Sequence, residues 1–279
     1  MTNRNQQRLG PPQHTPQQPQ MIPPPQTQSY SAPTEFVDLP SKGAFYPEGH
    51  PLFGQGRLEI KFMTTREEDI LNSRSLLREN EAVNRMIQNI IVNPEVAVDS
   101  LLPADRNAIM VAARSSGYGD IYKTSVRCGD CGESHEREFN LQEMRNVRDP
   151  DHDESISFDN GLIVMRLPKS GATVNVKVLT VADEKDLTYA QKVKEKNNLP
   201  DTSITDLLTT MVVSINGNPD RAYIASAVAG LPIMDARFIR QKYDECTPQL
   251  DLSTEVDCPH CGATERRMMP FTADFFWPK

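Results

Sequence analysis

The 279-residue chain has no run approaching the ~20 apolar side chains that a membrane helix needs. Its beginning also lacks the basic, apolar and small-residue order of a signal peptide. The expectation is a soluble protein made in the cytoplasm, without a membrane partner. Positive charge is short: the net charge is −8, and only two arginines, Arg4 and Arg8, fall in the first 34 residues. Beyond them 28 basic side chains face 38 acidic ones, a poor footing for a general nucleic-acid binder. Histidine is scarce as well. None of His14, His50, His135, His152 and His260 falls in a nucleophile–base pattern, so no enzyme is expected. Gly54-Gln-Gly56 and Gly117-Tyr-Gly119 are too short for phosphate cradles and read as a turn and a helix stop.

What the chain does hold is arranged unevenly. Residues 1–34 carry eight prolines, eight glutamines and almost no aliphatic side chains, which predicts a disordered arm. From Phe36 onward the same order of features runs twice. Leu39-Pro-Ser-Lys-Gly43 is answered by Leu167-Pro-Lys-Ser-Gly171. The alternating strand Leu58, Ile60, Phe62 is answered by Val174, Val176, Val178 at an offset of 116. Each strand leads to a threonine-started, acidic helix, with Thr65 and Glu68 in capping-box spacing. Amphipathic faces follow: Val83, Met86, Ile87, Ile90 and Ile91, then Ile204, Leu207, Leu208, Met211, Val212 and Ile215. Leu102-Pro-Ala-Asp105 and Leu231-Pro-Ile-Met-Asp235 each open another helix. Asp159-Asn-Gly161 signals a tight hairpin.

The pattern predicts an α+β chain of two related halves, each made of a strand, helices and a β-hairpin, behind the N-terminal arm. The halves are 35–145 and 155–279, joined by an acidic linker over 146–154. Asp151, Asp153 and Glu154 read as that linker rather than as a cation site.

Five cysteines is an odd number, and four fall in two Cys-x-x-Cys pairs on hairpin tips: Cys128 with Cys131, and Cys258 with Cys261. Gly132 and Gly262 permit the left-handed turn that aims backbone amides at thiolate sulfur. Two such knuckles supply four soft ligands, the set for one structural zinc ion shared between the halves in a zinc-ribbon-like site. Two alternatives compete. A redox pair needs a helix start after a strand, which neither pair has. Two separate sites, completed by His135 and His260 or by acids, would be open and weaker. Cys246 reads as a small buried side chain.

The strings DLPSKGAFYP, FMTTREEDIL, LLPADRNAIMVAARSSGYGDIY and CGDCG, beginning at Asp38, Phe62, Leu101 and Cys128, resemble baseplate hub proteins of T-even-type tailed bacteriophages. The likeness is clear over 36–144 and looser beyond. It implies a non-enzymatic structural or assembly role in the virion's tail baseplate, reached from the host cytoplasm, with other tail proteins as partners. The proline-rich loop 44–55 and the C-terminus suggest partner contacts at Phe45, Tyr46, Phe53 and Trp277, with Phe271 in the core. The competing reading is a zinc-ribbon nucleic-acid-binding or transcription factor. It calls for a basic face, whereas Arg127, Asp130, Glu133, Glu136, Asp257 and Glu265 surround the knuckles with mixed charge. A zinc hydrolase would need an open ligand position beside a general base.

Overall fold

Strand β1 (Thr34–Asp38) turns Val37 inward and Phe36 and Asp38 outward, and β2 (Arg57–Lys61) turns Leu58 and Ile60 inward. The two pair antiparallel with Val37 opposite Leu58. The computed structural model describes residues 32–73, 81–143, 147–148, 156–271 and 275–277. The expected arm up to residue 31 and most of the acidic linker, with Asp151, His152, Asp153 and Glu154, lie outside these residues.

Helix α1 (Thr65–Leu71) starts one residue earlier than the Thr65–Glu68 spacing suggests. Thr64 is the cap: its hydroxyl accepts from the Arg66 amide, and Glu67 accepts from the Thr64 amide at 2.7 Å. Thr64 still has extended backbone as the chain leaves β2, which a cap requires, while Thr65 is already helical. Helix α2 (Ala82–Ile90) buries Met86, Ile87 and Ile90, and Ile91 leaves it to bridge Ile60. Proline opens α3 (Pro103–Tyr118), and Gly119, with φ of 86°, ends it. The hairpin β3 (Ile121–Arg127) and β4 (Ser134–Asn140) follows. The short β5 (Val147–Arg148) comes next.

The second half opens on β6 (Ile156–Asp159) and β7 (Leu162–Arg166). Asn160 and Gly161, with φ of 44° and 76°, form the tight turn between them. With β8 (Thr173–Lys177) and β9 (Val212–Ile215) they make a sheet in the order β6-β7-β8-β9. Between β8 and β9 lie α4 (Val181–Lys196) and α5 (Ser203–Met211). Here the expected helical face 204–215 is corrected. The helix stops at Met211, Val212–Ile215 pairs with β8, and Ile204 is exposed. The Val-Val-Ser-Ile run favours a strand, and burial of Val212 and Ile215 against the sheet settles the choice. Helices α6 (Arg221–Ala229) and α7 (Ile233–Cys246) follow, then β10 (Gln249–Leu250). Strands β11 (Ser253–Asp257) and β12 (Thr264–Met268) form the last hairpin.

Element bounds recur at fixed spacings. Strand β7 lies 128 residues after β1 at both ends, and β8 lies 116 after β2 at both ends. Helix α4 starts 116 after α1, and α7 starts 130 after α3. The register agrees as well: Val37 faces Leu58 as Met165 faces Val174. The drop from 128 to 116 is the longer first-half loop between its two strands.

Each half also ties its Leu-Pro-x-x-Gly turn to a buried aspartate in the first turn of a helix. Asp105 accepts from the Ser41 amide (3.0 Å), the Ser41 hydroxyl (2.6 Å) and the Tyr46 hydroxyl (2.7 Å). Asp235 accepts from the Lys169 and Ser170 amides at 2.8 and 2.9 Å. For Asp105, burial pushes the carboxyl pKa up and outweighs its hydrogen bonds. For Asp235, burial also pushes up, but the bonds from Lys169 and Ser170 outweigh it and hold the pKa down. The pH dependences therefore have opposite sign. The stabilisation linked to Asp105 is full below its unfolded pKa and falls as pH rises through the higher folded one; that of Asp235 is present above its unfolded pKa and is lost as pH falls through the lower folded one. Asn mimics the neutral acid. Asp235→Asn will thus cost about 2–3 kcal/mol at neutral pH, and Asp105→Asn less, read from urea midpoints. Equal costs would contradict these assignments.

The halves interlock within one compact unit, Ala32–Lys279. Strand β5, which follows the first hairpin, pairs with β10 of the second half. The segment after the second hairpin crosses the other way. Tyr122 donates its hydroxyl to the Pro270 carbonyl, Phe275 packs edge-on against Tyr122, and the Trp277 indole donates to Asn72 at 3.0 Å. The loop carrying Phe45 lies on the β6–β7 hairpin, where a Cβ at Gly161 would meet the Tyr46 carbonyl at 3.1 Å. The Phe45 ring meets Phe158 edge-on.

Candidate metal centre

Along β3 the inward residues are Tyr122, Thr124 and Val126, and the same alternation carries Cys128 inward. Along β11, Val256 does the same for Cys258. Each hairpin then closes in an identical way. The Cys128 amide donates to the Glu133 carbonyl and Gly132 donates back to Cys128; the Cys258 amide donates to Ala263 and Gly262 donates back to Cys258. Gly132 and Gly262 hold φ of 75° and 71°, the left-handed backbone their positions predict.

The two tips meet. The Cys128 and Cys261 sulfurs are 3.7 Å apart, as are those of Cys131 and Cys258, and all four lie within 4.8 Å of one another. A tetrahedron with metal–sulfur bonds of ~2.3 Å has edges of about 3.8 Å, so the group fits one ion. The two short contacts each join one half to the other and exchange when the halves are exchanged. His135 and His260 are not part of the group. Cys246 is buried in α7, apart from it.

The thiols are electrostatically unequal. Amide donation from Cys261, with help from His260, pulls the Cys258 pKa down to about 6. At Cys131 the Glu133 amide pulls down, but desolvation and the other three sulfurs push the pKa up to about 12. At Cys261 the Ala263 amide is likewise outweighed, by Cys258 and desolvation. Four sulfurs this close do not all ionise unaided, and a divalent cation held among them would supply the missing charge.

The surroundings are ion-paired. Glu265 pairs with Arg267 at 2.7 Å and accepts from the Gly129 amide at 3.1 Å, so a second-half side chain braces the first knuckle. Arg127 donates to the Gly132 carbonyl, and Arg266 pairs with Asp251.

A family model described as T4 bacteriophage base plate protein matches residues 34–277, both halves and both cysteine pairs. The chain belongs to that family. No curated protein and no solved structure shows significant similarity to it. Baseplate membership implies a place in the virion tail and contact with other tail proteins, so the aromatic contact candidates can be set against the structure. Tyr46 is only 1% exposed, stacked on His50 and bonded to Asp105 and the Leu102 amide. Phe45 and Trp277 are half-buried against the core, and Phe53 is 42% exposed. Phe271, expected in the core, is exposed, because Phe275 takes the inward place and Phe271 only meets its edge. Sequence reasoning saw Asp105 and Asp235 as helix openers and missed them as turn anchors. Their recurrence at one offset was the available signal.

Proposed function

We propose that this baseplate protein is a non-enzymatic structural or assembly component of the hub region, built from two duplicated halves locked by one zinc ion on Cys128, Cys131, Cys258 and Cys261. The observation that carries the reading is the pairing of each knuckle's sulfurs across to the other knuckle at 3.7 Å, the edge a tetrahedral zinc site needs. Four protein ligands complete zinc's coordination and leave no position for a substrate water, so the metal holds geometry rather than activating a nucleophile. Duplication is supported by the repeated strand bounds, the matched register and the aspartate-anchored turns. The alternating acids and bases around the knuckles, several already paired with each other, offer nucleic acid no uniformly basic face.

The role operates through protein contacts, with Phe53 the most open of the ring side chains in the 44–55 loop. Phe53→Ala will keep the metal and change stability by no more than about 0.5 kcal/mol, yet lower incorporation into purified tails on the order of tenfold. Normal incorporation of a folded Phe53→Ala protein would remove the loop from the interface. Absence of the wild-type chain from purified tails and from their assembly intermediates would overturn the structural role itself.

A further inference from the structure

Among the described residues, β1 has an unpaired edge where its second-half counterpart β7 is paired. At the two ends of the β1–β2 pair, the Leu39 amide donates to Gly56 at 2.8 Å and the Phe62 amide donates to Pro33 at 2.9 Å. Antiparallel bonding alternates along a strand, so residues 33, 35, 37 and 39 bond toward β2. Thr34, Phe36 and Asp38 turn their N–H and C=O groups the other way, where no described strand pairs with them. In the second half Leu167 donates to Ala172 at the matching place, and the outer edge of β7 is occupied by β6.

Strand β6 reaches β7 through Asn160 and Gly161, both left-handed. The residues 128 earlier are Ala32 and Pro33. Proline is barred from left-handed backbone and alanine is disfavoured there, so Ala32 and Pro33 do not repeat that two-residue turn. Among the described residues, therefore, no strand continues from β1 onto this edge. Thr34–Asp38 has no proline, lysine or bulge; its charges are Glu35 and Asp38.

Two further features say what would sit there. Beside the edge runs a groove lined by Ala108, Val111 and Ala112 of α3 and Leu250 of β10, with Phe36 65% exposed at its rim. Apart from Asp38 at its end the lining is apolar, and the short side chains of Ala108, Val111 and Ala112 leave room for apolar side chains of an added strand. Glu35, on the same strand, has a buried carboxylate oxygen with no hydrogen-bond partner among the described residues. A carboxylate oxygen so placed on a half-buried glutamate is a ready acceptor for a cationic donor.

We infer that the free edge of β1 is a docking site for an extended segment of another baseplate protein, added antiparallel as β6 is added to β7. The segment places apolar side chains over α3 and a lysine or arginine against Glu35. This inference rests on the proposed tail role and names the mode of contact within it.

The test is hydrogen exchange on the full-length chain, free at low concentration and assembled in purified baseplates, with Phe36→Pro as a companion variant. Amides of Thr34, Phe36 and Asp38 should exchange freely in the isolated protein and gain about a hundredfold protection or more on assembly. Those of Glu35 and Val37, already bonded to β2, should be protected in both. Phe36→Pro removes one outward amide and spares the β1–β2 bonds, so the variant should retain metal and fold but be lost from baseplates. Three results would overturn the inference: edge amides still free in baseplates that contain the protein, edge amides protected in the free monomer, which assigns the edge to the chain's own arm, or protection that appears with concentration alone, which assigns it to a second copy. If Phe36→Pro fails to fold, the exchange pattern of the wild-type protein still decides. If the wild-type chain is missing from baseplates altogether, the tail role has failed, a result distinct from unprotected edge amides.

Discussion

Cys128→Ser and Cys258→Ser should each release the metal and destabilise both halves together, by on the order of 5 kcal/mol or more. Neither hairpin has a complete site of its own. Each brings two sulfurs, and the short contacts run between hairpins rather than within them. Losing one ligand therefore frees the partner knuckle as well. Amide exchange should rise in β3–β4 and in β11–β12 to a similar degree, whichever half carries the substitution. Cys246→Ser, buried in α7 and not part of the sulfur group, should keep the metal and cost only what a polar group in a core costs, about 1–3 kcal/mol. Opening confined to the mutated hairpin would mean that the two pairs act separately.

The second large effect is expected at the C-terminus. Phe275 is almost wholly buried and packs edge-on against Tyr122, Phe271 and Phe276, each with ring centroids 5.0 Å away. Phe275→Ala should cost about 3–5 kcal/mol by urea denaturation, because the cavity opens where the second half's tail crosses onto the first. The loss should be accompanied by faster exchange in β3, which carries Tyr122. A cost below about 1 kcal/mol would show that the tail crossing adds little to the joint between the halves.

Much of this was legible in the chain. The cysteine spacing, the glycine after each pair and the strand-like flanks define the cysteine-tipped hairpins locally, since period-two alternation and a left-handed turn are properties of a few residues. Asn160-Gly161 gave its hairpin for the same reason. What was not legible depends on partners distant in sequence. Tyr46 sits in a proline-rich loop that resembles a surface feature, yet its hydroxyl is drawn inward by Asp105, 59 residues away. The helix at 203–211 gives way to a strand where β8 offers an edge to Val212–Ile215, which adds to the strand preference of the Val-Val-Ser-Ile run itself. The one-residue shift of the α1 cap follows from where the chain leaves β2, which spacing alone does not reveal. Phe271 and Phe275 are equally apolar; the choice of which turns inward belongs to Tyr122.

Whether one ion joins the halves is answered directly by X-ray absorption at the zinc edge, with metal counting on full-length protein. The prediction is one zinc per chain, four sulfur neighbours at ~2.3 Å, and no nitrogen or oxygen ligand. Two ions per chain, a mixed sulfur–nitrogen shell or a metal-free protein of unchanged stability would contradict it.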